Sequence, residues 1–275
     1  MVILKCVDSR VGQGIGGLSM VIKEVFERGR EYPLNFFYGD ISELEKKYEI
    51  PEGLFVLGAK GEERELFWGV DTMDNLKSGL KRIREENDDF IFRYAGMLDD
   101  VIENTRIISD WGYHIKSTYV GYFLEMENED FYLEDIECIE ELKEQDVMEF
   151  LMLERSVFDI LNVAEEELNE WVQNEDYMVL VYKINEEIKG FSIIKIYGDE
   201  KEWCFLRALG VAKEERGKGI GETLIRSGLQ LANDRGIKKS MLWVDIDNKG
   251  ARGLYEKIGY KLDENESETV FSTVG

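Results

Sequence analysis

One histidine, three cysteines and two prolines are all that a chain of 275 residues holds of these types, and each scarcity removes a class of function. A single imidazole, His114, argues against metal catalysis, and no metal is expected. Cys6, Cys138 and Cys204 stand far apart in apolar, strand-like runs, which speaks against a disulfide framework and against a cysteine-rich zinc site. Pro33 and Pro51 both fall in the first fifth of the chain and mark no joint between domains. No apolar run approaches the roughly 20 residues that a membrane span needs. Met1 to Cys6 also lack the basic start, long apolar stretch and small-residue cleavage site of a secretory leader. The cytoplasm is the expected compartment. Positive charge is scarce too, with 34 basic residues against 58 acidic ones and a net charge of -24. Such a balance disfavours nucleic acid and anionic membrane as partners and favours cationic ones, although an excess of one sign is also a common solubility feature.

What is present is enough to fold. Apolar residues make up 44% of the chain, and its length suits two ordinary domains of roughly 100–200 residues each. The acidic run Glu125-Met126-Glu127-Asn128-Glu129-Asp130 follows a β-rich stretch, so the expected division is 1–130 and 131–275.

Beyond that run, Ile136 to Ile139 reads as a short strand and Glu141 to Val172 as one or two acidic amphipathic helices. Met178 to Ile184 and Ile188 to Tyr197 flank Asn185-Glu186-Glu187 and predict a hairpin, and Trp203 to Val211 predicts a further strand. Gly219 to Arg235 keeps helical spacing, with Gly236 a candidate cap. Ser240 to Ile246 is a strand, Asn248 to Ile258 a helix stopped by Gly259, and Tyr260 opens the last strands. Strands and helices alternate, which requires a mixed sheet.

The first half repeats this order. Its Gly69-Val70, helix from Asn75, strand Phe90 to Tyr94, helix through Ile108 and Gly112-Tyr113 match Leu209-Gly210-Val211, helix, Leu242-Trp243-Val244, helix and Gly259-Tyr260. Gly69 to Gly112 spans 43 positions and Gly210 to Gly259 spans 49, so the first copy is shorter. The difference falls where Thr72-Met73-Asp74 stands in place of a glycine-rich loop.

That loop, Arg216-Gly217-Lys218-Gly219-Ile220-Gly221, follows a strand and opens a helix. Glycines let successive N–H groups point into one concavity, and a helix N-terminus adds about half a positive charge, so the segment suits a pyrophosphate. It also fits a flexible turn. The strand, the five-residue gap and the loop, followed by Leu242-Trp243-Val244, Asn248, Ala251, Leu254-Tyr255-Glu256-Lys257 and Ile258-Gly259-Tyr260, resemble the GNAT superfamily of acetyl-CoA-dependent acetyltransferases from about Asp135 to Thr273. The resemblance implies tandem α/β (α+β) domains of this type, each a mixed, mostly antiparallel sheet flanked by helices, with the first degenerate and non-catalytic.

It also implies roles. Backbone amides from Gly217, Lys218, Gly219, Ile220, Gly221 and Glu222 would hold the CoA pyrophosphate, with Arg216 and Lys218 adding positive charge, and Leu209, Gly210 and Val211 would pair with the pantetheine arm and the acetyl carbonyl. A free N–H on that strand would hold the oxyanion of the tetrahedral intermediate. Asn248 would touch the cofactor arm, a role compatible with capping its helix. Tyr255 would be the general acid for the leaving thiolate; its spacing also suits a core aromatic. Where some members of the superfamily carry a carboxylate base, this chain has Phe205. Glu202 and Asp245 are alternatives, as is a water relay, and no base is assigned.

The implied activity is transfer of acetyl from acetyl-CoA to a primary amine by direct attack in a ternary complex. Residues 131–206 hold 21 acidic and 6 basic residues, whereas 207–275 hold 11 and 12. The early helices border the acceptor site in this superfamily, so a cationic amine is the expected partner, while helices merely solvated by glutamate fit equally. Two other classes stay open. One is a non-catalytic acyl-CoA-binding regulatory module. The other is an oxidoreductase using Gly12-Gln13-Gly14-Ile15-Gly16-Gly17 with Asp40 as ribose ligand, opposed by the polar Asp8-Ser9-Arg10 before the glycines. In the first half Ile108 aligns with Tyr255, so cradle and acid are both lacking there.

Overall fold

A computed structural model describes residues 20–274 apart from 40, 42, 61–62, 128–130, 132–137, 159–162 and 199. The chain runs α1 (Met20–Arg30), β1 (Leu34–Phe36), β2 (Glu43–Ile50), β3 (Gly53–Lys60), β4 (Glu63–Val70), α2 (Met73–Arg84), β5 (Ile91–Gly96), α3 (Leu98–Asp110) and β6 (His114–Glu125). It continues with β7 (Ile139–Glu141), α4 (Val147–Phe158), α5 (Glu165–Gln173), β8 (Tyr177–Ile184), β9 (Glu187–Tyr197), β10 (Trp203–Val211), α6 (Ile220–Asp234), β11 (Lys239–Asp245), α7 (Lys249–Ile258) and β12 (Lys261–Ser272).

The described residues form two compact units, 20–120 with 264–274 and 121–263. The sequence placed the division at Asp130, which lies outside the described residues, and assigned everything beyond it to the second half. The difference has a physical cause. β12 pairs antiparallel with β5, from Ser267 opposite Gly96 to Ser272 opposite Ile91, so the end of the chain completes the first unit's sheet.

In that unit β2, β3, β4, β5 and β12 lie in order, and every neighbouring pair is antiparallel except β4 with β5. The parallel contact covers only Glu65 opposite Ile91 and Leu66 opposite Phe92. Beyond it β1 pairs with the released end of β4, setting Leu34, Asn35 and Phe36 opposite Val70, Gly69 and Trp68. The core is aromatic, with Phe26, Phe36, Phe37, Phe67, Trp68 and Phe92 all buried. α2 turns Leu76, Leu80 and Ile83 inward, and its Gly79 leaves room for the Phe55 ring.

In the second unit β7, β8, β9, β10 and β11 lie in order, antiparallel throughout except for β10 with β11. Asn185 and Glu186, at φ 51° and 68°, make the two-residue β8–β9 turn that suits the twist of a hairpin. Neighbouring residues of a strand face opposite sides of the sheet, and β9 shows which helix covers each side. Phe191 meets Phe150 of α4 at a ring distance of 4.6 Å, whereas a Cβ on Gly190 would press on Ile220 and Leu224 of α6. Thus α4 covers one face and α6 the other. Both units are mixed, mostly antiparallel sheets flanked by helices.

Candidate active site

The site is built where β10 parts from β11. Their parallel pairing holds only for Trp203, Cys204 and Phe205 opposite Lys239, Ser240 and Met241. On its other edge β10 stays paired with β9 as far as Val211 opposite Gly190, with a register shift between Leu206 and Ala208 that leaves Arg207 in a bulge. A bulge sharpens local twist and re-aims side chains. From Leu206 to Val211 the edge toward β11 therefore has no strand partner among the described residues.

Just beyond, the glycine loop takes its shape from backbone that other residues avoid. Gly217 and Gly219 have φ of 80° and 89°, and a Cβ on either would meet nothing within 4 Å. Both are needed for conformation and face open space. The N–H groups of Ile220, Gly221 and Glu222 open the helix and have no intrahelical acceptor, and Gly219, the N-cap of α6, supplies no side-chain bond in its place. The crevice in front of them has a volume of about 580 Å³ and is walled by Leu209, Val211, Arg216, Gly217 and Leu254 among others.

The expected residues divide. Leu209, Val211, Arg216, Gly217, Gly219, Ile220, Gly221 and Glu222 line the crevice, whereas Gly210, Lys218, Asn248 and Tyr255 do not. Gly210 faces away, toward the Phe191 ring. Arg216 points its Nε at the carbonyl oxygen of Val211, 3.0 Å away, which ties the loop to the strand end. Lys218 is held at the surface by Glu215 at 2.8 Å. Asn248 caps α7, its Oδ1 accepting from the N–H of Ala251 at 3.2 Å. Tyr255 is wholly buried, its ring 6.4 Å from that of Tyr122 and 5.8 Å from that of Tyr260.

Four lining residues were missed in the sequence, Glu215 beside the loop and, on α7, Gly250, Leu254 and Lys257. The last three recur at helical spacing on one face of α7, a pattern legible once the helix is known to flank the loop. Lys257 bonds Glu222 at 2.5 Å, and Arg226 reaches the same carboxylate at 3.2 Å. The hydrogen bond from Lys257, with help from Arg226, holds the Glu222 carboxyl below its ordinary range. Glu215 and Glu222 are thus balanced along the wall by Arg216 and Lys257.

Phe205 is fully buried and brings no carboxylate to the strand. Of the two alternatives for a base, Glu202 accepts from the N–H of Glu200 at 3.2 Å and Asp245 from that of Asp247 at 2.9 Å. Each serves its own turn. The Gly12–Gly17 loop and Asp40 lie outside the described residues.

Residues 137–260, which hold the strand edge without a partner, the left-handed glycine pair and the uncapped helix start, match the model of the Acetyltransferase (GNAT) family. This stretch is a GNAT domain. A mycothiol acetyltransferase from Corynebacterium efficiens is 34% identical over 94 residues, which are 34% of this chain and 30% of that protein. The chain thus spans about a third of the length of the curated relatives it matches. A solved GCN5-related N-acetyltransferase from Sphaerobacter thermophilus covers 80% of the chain, and 76% of its own, with a TM-score of 0.60 at 15% identity. A tandem GNAT protein from the clavulanic acid biosynthesis pathway covers 80% of this chain and 78% of its own, with a TM-score of 0.55 at 11% identity. At such identities the likeness is one of fold, and it extends beyond the GNAT domain into the first unit. Among the described residues no helix is long and apolar enough to cross a membrane.

Proposed function

We propose that the second unit transfers acetyl from acetyl-CoA to a primary amine by direct attack in a ternary complex. The observation that carries this is the open edge of β10 from Leu206 to Val211, leading straight into the glycine cradle at the start of α6. An extended pantetheine arm fits such an edge, and a diphosphate fits the three N–H groups. Leu209 and Val211 would border the arm, while Gly217 and Gly219 let the backbone approach the phosphates. In the reaction the amine nitrogen bonds the acetyl carbon, the carbon–sulfur bond breaks and the amine loses a proton. The sulfur leaves as a thiolate and takes a proton, for which Tyr255 is the proposed donor. A phenol of pKa about 10 protonates a thiolate of pKa about 8.5 uphill, so close placement is required.

The acceptor is proposed to be cationic. Glu165, Glu166, Glu167 and Glu170 on α5 give that side of the domain its acidic character. The first unit is proposed to be non-catalytic, because the released edge of β4 is already taken by β1.

The test is calorimetry with acetyl-CoA, followed by thiol release over a panel of spermidine, glucosamine, lysine, an aminoglycoside and an acceptor of the mycothiol kind. Tyr255→Phe should lower turnover and leave acetyl-CoA affinity nearly unchanged. Equal turnover in that variant removes Tyr255 from the mechanism. Binding without release for any amine would instead favour the regulatory module, a reading to which Phe205 lends weight.

A further inference from the structure

Tyr122, on β6, is 1% exposed, and a phenol so deeply buried must find partners for its hydroxyl or forfeit the hydration it has lost. It finds two, both charged and both on α7. The hydroxyl accepts from Nε of Arg252 at 3.1 Å and donates to Oε1 of Glu256 at 2.7 Å. Arg252 also donates through Nη1 to the carbonyl oxygen of Ile246 at 2.9 Å, which fixes the guanidinium across the start of the helix. Arg252 and Glu256 are four residues apart, so they share a face of α7, and one phenol bridges them.

Tyr255 lies between these anchors in sequence, and its ring packs on the ring of the same Tyr122 at 6.4 Å. Tyr260 meets the Tyr255 ring edge-on at 5.8 Å, and its hydroxyl meets Ser240 Oγ at 2.6 Å. Tyr122 therefore acts on Tyr255 twice, by holding the helix that carries it and by walling its ring.

We propose that Tyr122 is a positioning residue for Tyr255. It sets the phenol of α7 for proton transfer without itself touching the reactants. This rests on the assignment of Tyr255 as proton donor.

Tyr122→Phe keeps the ring and removes only the hydroxyl, so the fold should survive. With the fastest amine of the panel, it should lower kcat about tenfold while KM for acetyl-CoA stays within about twofold. Added to Tyr255→Phe it should lower kcat no further, because residues that act through one another are not additive. A role confined to stability would leave kcat alone, or would add its effect to that of Tyr255→Phe, and either result overturns the proposal. If Tyr255→Phe is itself as active as the parent, the proton-donor reading falls and this inference with it. If Tyr255→Phe is impaired while Tyr122→Phe is not, this inference alone falls.

A second readout is independent of turnover. In protein labelled with 3-fluorotyrosine, the Tyr255 resonance, identified by its loss in Tyr255→Phe, should broaden or split in both Tyr122→Phe and Glu256→Gln. An unchanged line in both variants would show that the ring needs no such anchor.

Discussion

Asn35 stands opposite Gly69 in antiparallel register, and so holds in the first unit the strand edge that lies open beside Gly210 in the second. The two positions correspond by pairing as well as by sequence, since Gly53 opposite Val70 repeats Gly190 opposite Val211. One residue before each glycine, Leu209 walls the crevice, whereas Trp68 is buried and donates its indole N–H to the carbonyl oxygen of Arg93 at 2.8 Å. The helix that follows is also closed. Thr72 Oγ1 accepts from the N–H of Asn75 at 3.2 Å, and Asp74 brings a negative charge to the first turn.

The chain should therefore bind one acetyl-CoA, not two. Calorimetry on the full chain would give a single site. A second binding event would show that β1 can leave the edge of β4.

Gly219 separates two effects of substitution at the cradle. At φ 89° any side chain strains the backbone, by about 1–2 kcal/mol, although the added Cβ would meet nothing within 4 Å. Gly219→Ala should cost roughly that in stability and weaken acetyl-CoA by no more than about tenfold. Gly219→Asp adds a carboxylate where the diphosphate is to lie and should abolish binding altogether. Equal losses in the two variants would assign the effect to loop shape rather than charge.

Arg93 joins β4, β5 and β12, bonding Glu65 and Glu268 each at 2.7 Å, with Glu268 almost wholly buried. Removing Glu268 leaves Arg93 paired with Glu65 but takes away one of its two charge-assisted hydrogen bonds, at a cost of about 1.5–3 kcal/mol. Glu268→Ala should raise hydrogen exchange along β5 accordingly. Lys116→Ala, which breaks an exposed pair with Glu63, should change it by less than about 1 kcal/mol. A small effect of Glu268→Ala would mean that water reaches Arg93.

The same carboxylate explains what could not be read in advance. Helices and strands of the second unit were legible because their apolar periods are regular and glycines such as Gly219 and Gly259 mark their ends. The crevice was legible because its shape depends on Gly217 and Gly219. The destination of β12 was not. Its segment Asp263-Glu264-Asn265-Glu266 looks solvated, and one-dimensional patterning does not reveal which sheet a terminal strand joins. The occupation of the first unit's edge was hidden for a related reason, since β1 is three residues long and carries no alternation. The Lys218 side chain goes to Glu215, a pairing that charge along the sequence does not reveal.

A stack of four side chains docks α5 on the second unit's sheet. Lys195 lies over the Tyr177 ring at 5.7 Å, Tyr177 stacks on Trp171 at 4.9 Å and 7°, and Arg207 covers Trp171 at 4.7 Å. Arg207 is the bulged residue of β10, so the stack links α5, on the acidic side of the domain, to the strand that parts from β11. Trp171→Ala removes the middle of the stack and a residue only 5% exposed, which should cost about 3–5 kcal/mol. Arg207→Met keeps much of the packing volume and removes the cation, so about 0.5–2 kcal/mol is expected. Hydrogen exchange of the α5 amides should rank the two variants in that order. If Arg207→Met frees α5 as fully as Trp171→Ala, the guanidinium rather than the indole holds the helix.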